Sequence, residues 1–225
     1  MRDGQPDPRR GIRRQALSLA LAVAPFGLAF GVASTQAGLS WVQASGFSVL
    51  VFAGSAQFAA VEILGRGGSA AAAIAAGLLL NVRSLAFGLV MAPSLEGPRW
   101  KRAVWSQLMI DESTAVGSAQ ASPRWRRYGF VYTGVAIFIA WNISTAVGAV
   151  ALGSSSTLIT RAGIDAAVPA AFLALLWPRL ASPDQRAVAL GGAVAALALV
   201  PVAPAGVPVI AGGAVALAVA AWERR

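Results

Sequence analysis

Seven apolar runs, each 14 to 25 residues long, fill most of this 225-residue chain and leave only short polar or basic stretches between them. A soluble domain has no interior large enough to hide so many runs behind so little polar surface. Charged residues are 12% of this chain, against about a quarter in soluble domains. The pattern predicts an all-α, polytopic integral membrane protein with about six to seven hydrophobic helical segments, because a run of about 20 apolar residues spans a bilayer as a helix. The 24 Gly and 12 Pro fit that reading, since both are commoner in membrane helices than in soluble ones.

The runs are Ala16 to Gln36, Trp41 to Leu64, Ala70 to Ala92, Tyr128 to Leu152, Gly163 to Trp177, Ala187 to Val200 and Val207 to Trp222. Residues 1–15 form a basic N-terminal segment with Arg9, Arg10, Arg13 and Arg14. That segment and the first run resemble a signal peptide with a cleavage site near Ala33 or Ala37, but the run is long enough to span and the rest of the chain is as apolar. Residues 16–225 read as a single membrane transport domain with a polar cytoplasmic stretch at about 93–127, inside which Val104 to Ala121 is apolar enough for a short helix. Pro201, Pro204 and Pro208 rule out one continuous helix through the last two runs.

The basic residues choose a topology. With the N-terminus cytoplasmic and run 41–64 re-entrant from outside, 15 of the 18 Lys and Arg fall on the cytoplasmic side, Arg66 and Arg161 fall outside, and Arg83 stays in the membrane. The positive-inside rule favours this arrangement, with both termini in the cytoplasm. A full crossing by 41–64 would need a second crossing at 104–121, burying Asp111 and Glu112 at a cost. The net charge of +9 is therefore read as topology-setting, with no nucleic-acid partner. Trp41, Trp100, Trp105, Trp125, Trp177 and Trp222 stand at or just beyond run ends, as headgroup-level anchors do, and Trp141 alone is mid-run. Gly27 and Gly31 form a GxxxG pattern that permits close helix contact. No internal repeat is apparent.

Three polar groupings interrupt the apolar runs. Gly54-Ser55-Ala56-Gln57 can break a helix, and a half-helix starting near Ser55 would offer free N–H groups and a positive dipole end to an anion; a packed polar kink is the alternative. Asn81-Val82-Arg83 lies 12 to 14 residues into the third run, so Arg83 either binds a substrate carboxylate or pairs with an acid such as Asp165 or Glu62. Asp111-Glu112-Ser113-Thr114 supplies adjacent carboxylates suited to proton coupling, or a cytoplasmic cap paired to Arg102 or Arg124. Asp165 is a further coupling candidate, and Trp141-Asn142 offers an apolar wall and an amide.

Absences narrow the function. Without Cys or His there is no thiolate or His-based metal site, no thiol nucleophile and no His relay. GxxxxGK[ST], HExxH and GxSxG are absent, so no metal, cofactor or enzymatic activity is expected.

At these motifs the sequence resembles the AzlC-type permease family over roughly Arg14 to Leu180. The resemblance rests on Pro25-Phe26-Gly27 with Gly31, on Phe52 to Phe58, on Asn81-Val82-Arg83 and on Asp111-Glu112-Ser113. Trp141, Gly148 and the stretch Gly163 to Phe172 extend it. It implies a cytoplasmic-membrane exporter of valine-like amino acids that works with a small hydrophobic AzlD-type subunit. The family commonly has His after the Asn-x-Arg, where this chain has Ser84. The expected site then comprises Gly54, Ser55, Gln57, Asn81, Arg83, Trp141 and Asn142 for substrate, with Asp111, Glu112 and Asp165 for proton coupling. Two other readings are a membrane subunit of an ATP-driven transporter, with its coupling helix in 93–127, and a non-transporting accessory membrane protein.

Overall fold

The computed structural model describes residues 7–152, 173, 176–177, 180–204 and 206–222, and among them there is helix and no strand. The helices are α1 (Arg9–Gln36), α2 (Trp41–Leu50), α3 (Gly54–Gly65), α4 (Ala70–Asn81), α5 (Arg83–Met91), α6 (Arg99–Gln107), α7 (Asp111–Ser118), α8 (Pro123–Val147), α9 (Pro183–Leu199) and α10 (Val207–Trp222). A 3₁₀ turn follows α5 at Ala92–Ser94, and a π-helical turn extends α8 over Gly148–Leu152.

Two helices, Arg9–Gln36 and Pro123–Ala151, are long and apolar enough to cross a bilayer, and α4 with α5 makes a third if the pair, bent by 40°, is one span. The count among the described residues is thus two to three rather than six to seven. Run 163–177 lies almost wholly outside the described residues, and α9 and α10, at 17 and 16 residues, stand at the short end of the length that crosses a bilayer.

α1 and α8 form the core pair, and they run parallel. Arg13 of α1 meets Tyr128 of α8 near one end, Gly27 meets Trp141 in the middle, and Gly31 meets Thr145 and Ala149 further on. The contact is close because Gly27 and Gly31 have no side chain: a Cβ at Gly27 would lie 2.8 Å from the Trp141 carbonyl oxygen, and one at Gly31 would collide with that of Thr145. Gly148 answers from α8, against the Leu28 carbonyl. The Thr145 hydroxyl donates to the Gly27 carbonyl at 3.2 Å, adding an interhelical hydrogen bond. The GxxxG pattern therefore faces α8.

The second run is a hairpin. Ser48 on α2 sits beside Thr145, and Phe52 after α2 sits beside Phe138, so the chain moves down α8 toward the basic end. α3 starts at Gly54 beside Trp141 and finishes at Gly65 beside Ala37, back at the end of α1 where α2 began. With 10 and 12 residues, each arm is about 15–18 Å long, roughly half a bilayer core. Ser40 caps α2 through the Gln43 amide, and the helix stops before Val51-Phe52-Ala53.

A second hairpin comes from the opposite pole. Met91 and Leu95 pack with Phe130 near the basic end of α8, and α6 starts four residues later. At the tip of α6, the Gln107 side-chain amide donates to the last carbonyls of α2, Val49 at 2.7 Å and Leu50 at 3.3 Å. Those carbonyls end a helix and have no partner within it. Leu108 then packs on Gly134, and α7 returns so that Gly117 lies against Phe130 and Arg126. The 93–127 stretch, expected as a polar cytoplasmic segment, thus carries Leu108, Ile110 and Asp111 to the level of mid-α8. α9 and α10 pack on each other through Gly192 and Gly212, and α10 rests on α4 through Gly213 and Leu79.

Candidate functional site

The two hairpin tips and the α4–α5 bend converge on one cavity of about 300 Å3. Ala53, Gly54 and Ser55 enter from the first hairpin, Met109, Ile110, Asp111 and Glu112 from the second, and Asn81, Arg83 and Ser84 from the bend. Phe26, Phe52, Phe58, Ile137 and Trp141 supply an apolar wall. The volume is at the lower end of the range for small-molecule pockets, about 300–1,000 Å3, and suits one small solute.

Arg83 ties the three elements together. Its Nη1 donates to Asp111 Oδ2 at 2.6 Å, and its Nη2 donates to Ser55 Oγ at 2.9 Å. The pair is partly shielded, with 36% of the Arg83 side chain and 22% of that of Asp111 exposed. The expected partner Glu62 pairs instead with Arg66 four residues on, and Asp165 lies outside the described residues. Nor is Asp111 a surface cap held by Arg102 or Arg124; it is the partner of the Arg83 guanidinium. Such a charge is tolerated at depth when paired or hydrated, and Arg83 is paired and faces a cavity.

The start of α3 strengthens the positive character here. Ala53 provides no side-chain cap, and Ala53, Gly54 and Ser55 line the cavity, so the first-turn N–H groups of α3 open toward it. The Trp141 ring lies close over Gly54; a Cβ there would stand 3.0 Å from the indole, so a larger residue would push the ring aside. Trp141 is 7% exposed, lies 6.3 Å from the rings of Phe30 and Phe58, and presents an indole N–H that has no partner among the described residues.

Gln57 and Asn142 are placed differently. Gln57 is fully buried on α3 next to the lining residues, but outside the lining itself, and neither end of its amide has a partner among the described residues. Asn142 donates to the Phe138 carbonyl of its own helix at 2.8 Å and does not line the cavity. Residues missed by sequence reasoning include Met109, Ile110 and Gln107. The signal for them was present: residues 103–123 contain no Lys or Arg, yet Arg102 and Arg124 bracket them, as they would a hairpin that enters and leaves by one face.

The architecture defines a helical membrane protein in which two opposed half-length hairpins meet over a charged, partly apolar cavity. The chain belongs to the AzlC family, whose model, described as AzlC protein, matches residues 18–154 and so contains Ser55, Arg83, Asp111 and Trp141. It is 27% identical over 207 residues to the inner membrane protein YgaZ of Escherichia coli K12, covering 84% of this chain and 82% of that one. It is 31% identical over 181 residues to an uncharacterized membrane protein of Archaeoglobus fulgidus, covering 79% and 78%. No solved structure matches the chain.

Proposed function

We propose that this protein is the large subunit of a two-component permease that exports branched-chain amino acids across the cytoplasmic membrane, with both termini cytoplasmic and a small hydrophobic AzlD-type subunit as partner. It is a transporter and not an enzyme. The observation that carries this reading is the Arg83 fork between Ser55 and Asp111 at the floor of the cavity. A zwitterionic amino acid needs a cation, an anion and an apolar wall within a few ångströms, and this cavity has all three. Its carboxylate would take Arg83 and the α3 N–H groups, its ammonium would face Asp111 and Glu112, and its branched tail would lie against Phe52, Phe58 and Trp141.

The fork also suggests how binding moves the protein. Ser55 belongs to one hairpin and Asp111 to the other, so Arg83 latches them to each other. A substrate carboxylate that takes Nη1 from Asp111 releases the latch, the substrate ammonium compensates Asp111 while bound, and a proton takes its place when the substrate leaves. Opposed broken helices around a midplane site suit alternating access. The Asp111→Asn variant is then expected to lower proton-driven valine efflux more than about tenfold, the loss of one charge-assisted contact, while valine exchange across the same membrane continues. Parallel assays of net efflux and counterflow in proteoliposomes, with and without the partner subunit, check this. Wild-type proton-driven efflux by the variant would remove Asp111 from coupling, and absence of valine transport by the intact pair would reject the substrate class.

A further inference from the structure

A second concavity, of about 680 Å3, lies at the basic pole, between α1, α6 and α8. Arg9, Arg13, Arg124 and Arg127 border it, and Trp105, Val131 and Val135 continue it along α8 into the apolar level. From Tyr128 to Val135 is seven residues, about 10 Å of helix. Arg13 is held in place: its Nε donates to Tyr128 Oη at 2.8 Å, and its guanidinium stands 5.7 Å from the Tyr132 ring centroid. Arg124 lies 5.3 Å from the Trp125 ring, and Arg9 lies 5.7 Å from the same indole.

Arg9 has an acid beside it, Asp7 at 3.7 Å. Arg13 feels the charge of Asp7 but makes no ion pair, Arg124 and Arg127 make none among the described residues, and all three are exposed. Orientation of the chain in a bilayer asks only for positive charge on one side. It does not ask for guanidinium groups fixed on aromatic rings around a concavity, nor for an apolar continuation beneath them. A ligand with a phosphate at one end and hydrocarbon at the other matches both halves, since Arg forks suit phosphate oxygens and the Trp105 and valine surfaces suit an acyl chain.

We propose that this groove binds one anionic phospholipid, with its phosphate among Arg13, Arg124 and Arg127 and its first acyl segment along Trp105, Val131 and Val135. The lipid bridges α1 and α8 to α6, the helix whose tip caps α2 and leads to Asp111, and so steadies the inner hairpin. Basic pockets between membrane helices recognise headgroups in this way.

The test is native mass spectrometry of the full chain released from bilayers of phosphatidylglycerol and phosphatidylcholine in equal parts. One phosphatidylglycerol is expected to stay bound in preference to phosphatidylcholine. The Arg124→Gln/Arg127→Gln variant should retain about 30-fold less, with two surface-lipid cation contacts removed, whereas Arg99→Gln/Lys101→Gln/Arg102→Gln, in the same basic stretch but outside the groove, should retain as much as the parent. Millimolar inorganic phosphate should not displace the lipid. Equal retention of both lipids, equal loss in both variants, or displacement by phosphate alone would each overturn the proposal. The thermal unfolding midpoint of each variant shows that it is folded, and Arg127→Gln alone replaces the double variant if that one is not.

Discussion

Replacing Arg83 by Ala is expected to reduce valine export about 10- to 100-fold, the effect of losing charge-assisted hydrogen bonds of about 1.5–3 kcal/mol. The same change leaves Asp111 in a partly buried site without its cation, and the protein should lose about 1–3 kcal/mol of stability, less than a fully buried pair would cost because the Arg83 side chain keeps 36% of its exposure. Arg83→Lys should recover much of the stability and little of the export, since an ammonium cannot fork between Asp111 Oδ2 and Ser55 Oγ as the guanidinium does. The Arg83→Ala/Asp111→Asn double variant separates the two effects: folding returns because no unpaired charge remains, and export does not. Initial efflux rates in proteoliposomes, read beside thermal unfolding midpoints, measure both. Efflux at the parent rate from Arg83→Ala would place substrate elsewhere.

Gly31→Val should be the most destabilising single change in the α1–α8 pair. The added side chain would collide with the Thr145 carbonyl and come within 2.7 Å of the Ala149 nitrogen, and backbone atoms cannot yield as a side-chain tip does. The helices would have to separate, losing the Thr145 hydroxyl bond to Gly27 and the neighbouring Ser48–Thr145 contact. Overpacking of this kind costs about 3 kcal/mol. Gly11 is the internal control, because a Cβ there meets nothing within 4 Å, and Gly11→Ala should be neutral or stabilising through helix propensity. Thermal unfolding in detergent micelles checks both, and equal behaviour of the two variants would refute the packing account.

The membrane class, the broken second run and the cavity residues Gly54, Ser55, Asn81, Arg83 and Trp141 could be read from the sequence because each is a local anomaly: a helix breaker or a charge inside an apolar run. The ion pair could not be read that way. Arg83 and Asp111 are 28 residues apart, and their meeting depends on α6 and α7 folding back toward mid-α8. The acids and Gln at 107–112 make that stretch look like a surface loop; the bracketing Arg102 and Arg124 hint at a hairpin, but hydropathy alone does not reveal that its charges point at another charge. Gln57 shows the opposite limit. Its place beside Gly54 and Ser55 made it a binding candidate, but 100° per residue along α3 turns its side chain into the packed interior, away from the face that lines the cavity.

The most direct measurement uses the absence of cysteine from the parent chain. Ser84→Cys puts a single thiol in the cavity wall next to Arg83 without removing a member of the Arg83–Ser55–Asp111 fork. Valine should slow its modification by a membrane-permeant thiol reagent, and valinamide, which has the same tail and ammonium but no carboxylate, should not. Modification indifferent to valine, or slowed equally by the amide, would contradict a carboxylate site at Arg83.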